Sequence, residues 1–353
     1  MASPVSTPPA TFLIDHLPNR TICYEGQTYL FFSGTSYLGM AQHPAMQALL
    51  AEGVLRYGLQ FGSSRNGNLQ LQVFAEAERK LAQSVGAPAA LTVSSGMLAG
   101  QVVVDWLAAQ VGPAAVGYQA PGTHPALWHP LLKKHTTALP LSNGPLPAYV
   151  LTNSIDAIRS KRYPFDWLAD LPTDQTMYLV VDDSHGIGVL NNGRGIWPEL
   201  SAQVATRPNI RLLVTASLAK AMGLPGGVIF SDPGTLAALR QTAYFGACSP
   251  MPPAYAHAYL QADTLYREGY QRLVNNIAHA ERLLRPTGLF SQAEGYPVFY
   301  TDHDEIATRL LDQGIFVYSF AYPTAADKPN TRLVISAFHQ PEDIEKLAAA
   351  LLM

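Results

Sequence analysis

Between residues 90 and 230, short continuous apolar runs alternate with stretches whose apolar positions recur every three or four residues. The runs at 90–93, 115–118, 147–152, 178–182, 211–214 and 227–230 read as strands buried on both faces. The stretches between them read as helices, one opening at Ser95-Gly96 and running through 107, another over 125–134. This alternation predicts an α/β fold with a mostly parallel sheet covered by helices. Upstream, residues 21–32 alternate around Glu25-Gly26, a β-hairpin signal, and 44–57 and 72–85 carry helical spacing. Downstream, a long helical stretch over 253–284 leads to short strands at 297–300, 314–318 and 332–336, a helix over 304–313, and a closing helix from Pro341. That second part reads as a smaller α+β domain, joined in space by the N-terminal hairpin. The expected division is an arm and hairpin over 1–43, a large domain over 44–252, and a connecting helix with the small domain over 253–353. Residues 1–10 read as a loose tail.

The chain has 353 residues, 48% of them hydrophobic, enough for a large core and a smaller one. A net charge of -3 gives no reason to expect nucleic acid or an anionic membrane as a partner. No apolar run approaches the length of a membrane span, and the first residues lack the basic and apolar segments of a secretion signal. Cys23 and Cys248 are too few for a disulfide framework or a cysteine-rich metal site. A soluble, cytoplasmic protein without a bound metal is the expectation.

Open α/β sheets bind ligands beyond the carboxyl ends of their strands, so the chemistry is sought just after the apolar runs. Lys220 stands between two such runs among small residues and glycines. A lysine there loses solvation and can be a neutral nucleophile, or it is a surface lysine in a loop. Asp182-Asp183-Ser184-His185-Gly186 ends the clearest strand. Its carboxylate and histidine suit a proton held on a heterocyclic ring, a metal pair, an acid–base couple, or a solvated strand end. Ser95-Gly96-Met97 marks a strand-to-helix turn, where free N–H groups and the helix dipole favour a phosphate, or where a simple helix cap sits. His124 follows a strand and can stack on a flat ring or be structural. Arg332 opens a late strand and can fork onto a carboxylate or make an ordinary salt bridge. The histidines at 129, 135, 257, 279 and 303 read as surface residues.

The order of these signals resembles that of the fold-type I pyridoxal-phosphate enzymes, and within them the α-oxoamine synthases, from about residue 21 to residue 352. Asp182-Asp-Ser-His-Gly-Ile-Gly-Val-Leu190 with Gly193-Arg-Gly195 is similar to that family's Asp-Glu-Ala-His-Gly segment and the Gly-Arg-Gly after it. Ser217-Leu-Ala-Lys220-Ala-Met-Gly223 resembles Thr-Phe-Ser-Lys-Ala-Leu-Gly, Ser95-Gly-Met97 its Ser-Gly-Phe turn, and Ser36-Tyr-Leu-Gly-Met40 its Asn-Tyr-Leu-Gly-Leu segment. Tyr322-Pro-Thr324 and the stretch from Arg332 to His339 resemble its C-terminal pattern.

The resemblance implies pyridoxal 5'-phosphate as cofactor. Lys220 would carry it as a Schiff base, Asp182 would pair with its ring nitrogen, and His185 with its phenolic oxygen. His124 would stack on the ring. Ser95, Gly96, Met97 and Ser217 would hold the phosphate, and Ser249 would reach the phosphate of a second subunit. Arg332, with Ser36, would bind substrate. The implied reaction condenses an amino acid with an acyl thioester, of CoA or of an acyl carrier protein, and releases carbon dioxide to leave an α-amino ketone. A homodimer with the active site at its interface is also implied. The chain departs from the pattern at Ser36, at Pro125-Ala126, over 152–159, at 68–72, and at Val334, where a second arginine is common. Alternatives on the same fold are an aminotransferase, a decarboxylase or an aldolase-type lyase, and a non-catalytic paralogue is a further one.

Overall fold

A computed structural model describes residues 11–132, 147–171, 175–321 and 329–352. The readings that fall on 1–10, on Lys134 and on Tyr322-Pro-Thr324 lie outside the described residues.

The hairpin forms as expected: β1 (Thr21–Tyr24) and β2 (Gln27–Phe31) turn at Glu25 and Gly26, both at positive φ. Helices α1 (Pro44–Tyr57) and α2 (Gln72–Val85) follow, then β3 (Ala89–Val93) and α3 (Gly96–Val111). The next strands are β4 (Tyr118–Gln119), β5 (Tyr149–Asn153), a small β6–β7 ribbon (Ile155–Asp156 and Lys161–Arg162) and β8 (Met177–Asp182). After α4 (Trp197–Val204) come β9 (Ile210–Ser217), β10 (Gly227–Ser231), α5 (Pro233–Arg240) and α6 (Ala243–Ala247).

Six of these strands build one sheet in the order β3-β10-β9-β8-β5-β4. The steps from β9 to β4 are parallel, whereas β10 is antiparallel to both β9 and β3, so five of the six strands share a direction. Alternate residues of β8 face opposite ways: Leu179 and Val181 join one apolar cluster, Val180 the other. That two-sided burial is why the run over 178–182 is continuously apolar.

Two expected helices come out differently. Over the described part of the first, 125–132, only a single 3-10 turn forms, Pro125–Leu127. Pro130 has no N–H to continue a helix, and the Ala126 carbonyl instead accepts Gln101 Nε2 at 2.9 Å. The stretch over 253–284 is two helices, α7 (Pro253–Gln261) and α8 (Asp263–Leu284), broken at Ala262. Lys80 Nζ donates to the carbonyls of Tyr259 and Leu260, satisfying the acceptors that a helix end leaves open. The strand expected at 115–118 is also displaced, starting only at Tyr118.

The remainder is α+β. Strands β11 (Val298–Thr301), β13 (Ser319–Ala321) and β14 (Pro329–Val334) form an antiparallel sheet with β14 central. Helices α9 (Glu305–Asp312) and α10 (Pro341–Leu352) accompany it, and β12 (Ile315–Phe316) pairs in parallel with β2. Arg20 fixes the arm further, donating through Nε and Nη2 to the two carboxylate oxygens of Asp343 at 2.7 and 2.8 Å. This part keeps its own apolar cluster, around Leu273, Val298, Ile335 and Leu347. Among the described residues, no helix is long and apolar enough to cross a membrane.

Candidate active site

Parallel strands deliver their C-terminal ends to one edge of the sheet, and the candidate residues gather there. Asp182 ends β8, and Asn153 ends β5 in register beside it. The loop after β4 carries His124. β9 ends at Ser217, and the turn from β9 to β10 carries Lys220. That turn is closed by the Leu218 N–H on Gly226 O and the Gly223 N–H on Lys220 O. Gly223 has φ +67, and a Cβ there would stand 2.6 Å from the Ala41 nitrogen, so only glycine fits the turn against the segment after the hairpin. From the other side β14 contributes Arg332. The result is a cavity of about 550 Å³ lined by His124, Asp182, His185, Lys220 and Arg332, five of the residues singled out in the sequence.

The electrostatics of the cavity follow from burial. Asp182 is 6% exposed; its Oδ1 accepts the Ser184 N–H at 2.8 Å, and its Oδ2 lies 3.7 Å from His124 Nδ1. Burial holds the Lys220 amine below its ordinary value, as does the nearby Arg332 charge, while Asp182 pulls it back up. Burial also keeps His185 well below the usual imidazole range, with Lys220 and Arg332 adding to the effect. His124 is lowered by burial against the attraction of Asp182. Near neutral pH the site therefore offers neutral imidazoles and an amine biased toward its nucleophilic form. Arg332 donates from Nη1 to the Ala157 carbonyl at 2.6 Å, which fixes the root of the guanidinium at the cavity wall.

The expected phosphate residues form a neighbouring cluster rather than part of this lining. Ser95 caps α3, its Oγ accepting the Leu98 N–H at 3.1 Å. A Cβ on Gly96 would lie 2.4 Å from the Ser217 Cβ, so the first turn of α3 rests directly on Ser217. The Ser217 N–H donates to Ser184 Oγ at 2.8 Å, tying this cluster to the Asp182 loop. Met97 is exposed. Ser249 is exposed too, and its neighbour Cys248 contacts Ser94 Oγ at 3.2 Å, at the same corner. Ser36 is not brought to the cavity: its hydroxyl donates to Gln42 Oε1 at 3.0 Å.

Two residues were not singled out in the sequence. Tyr37, next to Ser36, places its hydroxyl 2.9 Å from His185 Nδ1. Asn153 accepts the His124 N–H at 3.1 Å and donates to the Gly122 carbonyl at 2.9 Å, so it sets the loop that carries His124. Its position at a strand end beside Asp182 was the available signal. Asp183 does not make a metal pair with Asp182, because its Oδ2 accepts the Ile196 N–H at 2.8 Å inside the protein. Among the described residues no group of three or more His, Cys, Asp or Glu could hold a metal ion. One histidine read as a surface residue is internal: His257 is 4% exposed, with Nε2 3.1 Å from Glu52 Oε1.

Burial pushes the Asp183 carboxyl from 3.8 up to about 7; the Asp182 charge adds to the rise, and Ser154, the Ile196 N–H and Arg162 oppose it. An acid with a raised folded pKa binds more protons folded than unfolded. Its contribution therefore declines as pH rises from about 4 to about 7 and stays at its least favourable above that, a loss of up to about 4 kcal/mol. Asp183→Asn cannot ionise and keeps an acceptor for Ile196. The variant is expected to gain stability relative to wild type between pH 5 and 8 in paired thermal melts, and a pH-independent difference would refute the assignment.

The sequence profile described as "Aminotransferase class I and II" matches residues 150–351. The 8-amino-7-oxononanoate synthase of Cronobacter sakazakii is 32% identical over 357 residues, covering 95% of this chain and 91% of that protein. The enzyme of the same name from Nitrosomonas eutropha is 28% identical over 359 residues, with 95% and 91% covered. Among solved structures, a Sphingomonas wittichii serine palmitoyltransferase superposes with a TM-score of 0.79 at 18% identity, over 96% of this chain and 90% of that one. An 8-amino-7-oxononanoate synthase from Francisella tularensis superposes with a TM-score of 0.70 at 21% identity, over 92% and 96%. The chain belongs to the aminotransferase class I and II family and, within it, to the α-oxoamine synthases, pyridoxal-phosphate-dependent transferases of fold type I.

Proposed function

We propose that this protein condenses an amino acid with an acyl thioester and releases carbon dioxide, leaving an α-amino ketone. The convergence of Asp182, His185, His124, Lys220 and Arg332 on one cavity carries this reading. The donor set fits pyridoxal phosphate: a buried carboxylate for a ring nitrogen, an imidazole beside it for a ring oxygen, a second imidazole for the ring face, and a desolvated amine for the aldehyde carbon. The cofactor, when bound, supplies an electron sink that stabilises a carbanion at the amino acid's Cα.

The chain's own groups do the rest. The buried Asp182 carboxylate would hold a proton on the ring nitrogen, its Oδ1 already accepting the Ser184 N–H. Lys220 would hold the cofactor through Nζ, and its lowered affinity for a proton suits the same atom to moving the substrate's α-proton. His124 would cover one face of the ring; Asn153 holds its backbone N–H, and the imidazole Nδ1 accepts the Ala126 N–H at 3.1 Å. Arg332 keeps guanidinium N–H groups beyond the one bonded to Ala157 and grips the substrate carboxylate. The N-terminus of α3, with Ser95, Gly96, Met97 and Ser217, receives the phosphate, where free N–H groups and the helix dipole favour an anion.

A homodimer belongs to the same proposal, with Ser249 exposed at the corner where a second subunit would approach, as do a cytoplasmic location and the domain boundaries at 43 and 252. Similarity to 8-amino-7-oxononanoate synthases weighs against an aminotransferase reading.

Incubating the enzyme with candidate amino acids and acyl-CoA thioesters, separately and together, tests the reaction. Free thiol and carbon dioxide are expected only when both substrates are present. A requirement for an amino-group acceptor in place of the thioester would overturn the condensation.

A further inference from the structure

Two tyrosines behind the cavity wall link His185 to both ends of the chain. Tyr37, 1% exposed, follows the N-terminal hairpin, and Tyr296, 0% exposed, precedes β11. Tyr37 Oη lies 2.9 Å from His185 Nδ1 and 3.3 Å from Tyr296 Oη. Burial raises both phenols, so both keep their protons. Each hydroxyl then has one hydrogen to place, and a buried O–H without an acceptor costs about 1–3 kcal/mol.

Two polarities are compatible with these distances. In the first, His185 Nδ1–H donates to Tyr37 and Tyr37 donates to Tyr296, which leaves the Tyr296 hydrogen with no acceptor among the described residues. In the second, Tyr296 donates to Tyr37 and Tyr37 donates to Nδ1, and every hydrogen is used. We propose that Tyr296 and Tyr37 form a one-way relay that fixes His185 as the tautomer protonated on Nε2, with Nδ1 as acceptor. Tyr37 is thus a positioning residue, and Tyr296 places its own hydrogen on the Tyr37 oxygen.

The tautomer matters because the imidazole is neutral: an imidazolium would donate from both nitrogens, whereas the neutral ring has one donor. With Nδ1 engaged by Tyr37, Nε2 is the nitrogen left for the cavity that His185 lines. Resting on the pyridoxal-phosphate reading, this gives the ring's phenolic oxygen a donor; the opposite tautomer would meet it with a lone pair.

Nitrogen NMR of the full chain labelled with ¹⁵N-histidine reads this directly, without added cofactor and again with pyridoxal phosphate. A His185→Gln spectrum identifies the His185 signals among ten histidines. In the wild type, His185 is expected to show a bare Nδ1 and a protonated Nε2 in both samples. Tyr37→Phe is expected to convert this to an exchanging mixture of tautomers and to weaken pyridoxal phosphate binding about tenfold. Tyr296→Phe leaves Nδ1 as the one acceptor for the Tyr37 hydrogen, so His185 is expected to keep a bare Nδ1 in this variant, and a population protonated on Nδ1 would count against the relay. A wild-type His185 protonated on Nδ1, or a Tyr37→Phe spectrum unchanged at His185, would overturn the relay. If Tyr37→Phe does not fold, the wild-type and Tyr296→Phe spectra still decide it. Failure here leaves the condensation standing, since that reading is judged by its products.

Discussion

Lys220→Ala is expected to abolish turnover and to remove the cofactor label that borohydride fixes to the protein. The side chain has two duties, attachment through Nζ and proton movement at the same atom, and the second alone is worth roughly 10²- to 10⁴-fold. Burial and the charge of Arg332 have already lowered the amine's affinity for its proton, so no other lysine reproduces its environment by proximity alone. Of the described lysines, only Lys220 is among the residues lining the cavity. The check is a visible spectrum with borohydride reduction, followed by peptide mapping in wild type and variant. Full activity with an unchanged band in Lys220→Ala would remove the basis of the whole assignment.

The second large effect is expected at Asp182. Asp182→Asn preserves shape and an oxygen for the Ser184 N–H, but it withdraws the charge that would hold a proton on the ring nitrogen. Leaving a buried cation without its partner costs about 3–5 kcal/mol, equivalent to a fall of roughly 10²- to 10⁴-fold in rate. Binding of the cofactor should weaken less than kcat falls, because the phosphate cluster at α3 lies apart from Asp182. Comparing kcat with the dissociation constant for pyridoxal phosphate separates the two. A variant with unaltered kcat would show that the carboxylate does not tune the ring.

Local pattern carried most of the architecture, because sheet strands buried on both faces must be continuously apolar and therefore stand out. It also marked the strand ends, where Asp182, His124 and Lys220 could be found without a structure. What stayed hidden depends on partners distant in sequence. The break at Ala262 depends on Lys80, about 180 residues earlier, satisfying the end of α7. The burial of His257 depends on packing against Glu52 of α1. Tyr37 reads as an ordinary core aromatic until its hydroxyl is seen against His185. Pro130, by contrast, was visible in the sequence, and the helical spacing around it was followed over the stronger local rule that proline cannot continue a helix.

The parallel pairing of β2 with β12 has a consequence for how the molecule is made. The arm that carries Tyr37 leaves the ribosome before the six-stranded sheet, whereas its sheet partner β12 emerges after it. Tyr318 N–H and Ser33 Oγ, bonded at 2.7 Å, are 285 residues apart. During synthesis the six-stranded sheet can form while the arm still waits for its place, and contacts of such long range close slowly. Of the residues around the cavity, Arg332 is also among the last made. The cavity is therefore completed only once β12 and β14 have been made and have captured the arm, well after the six-stranded sheet can form.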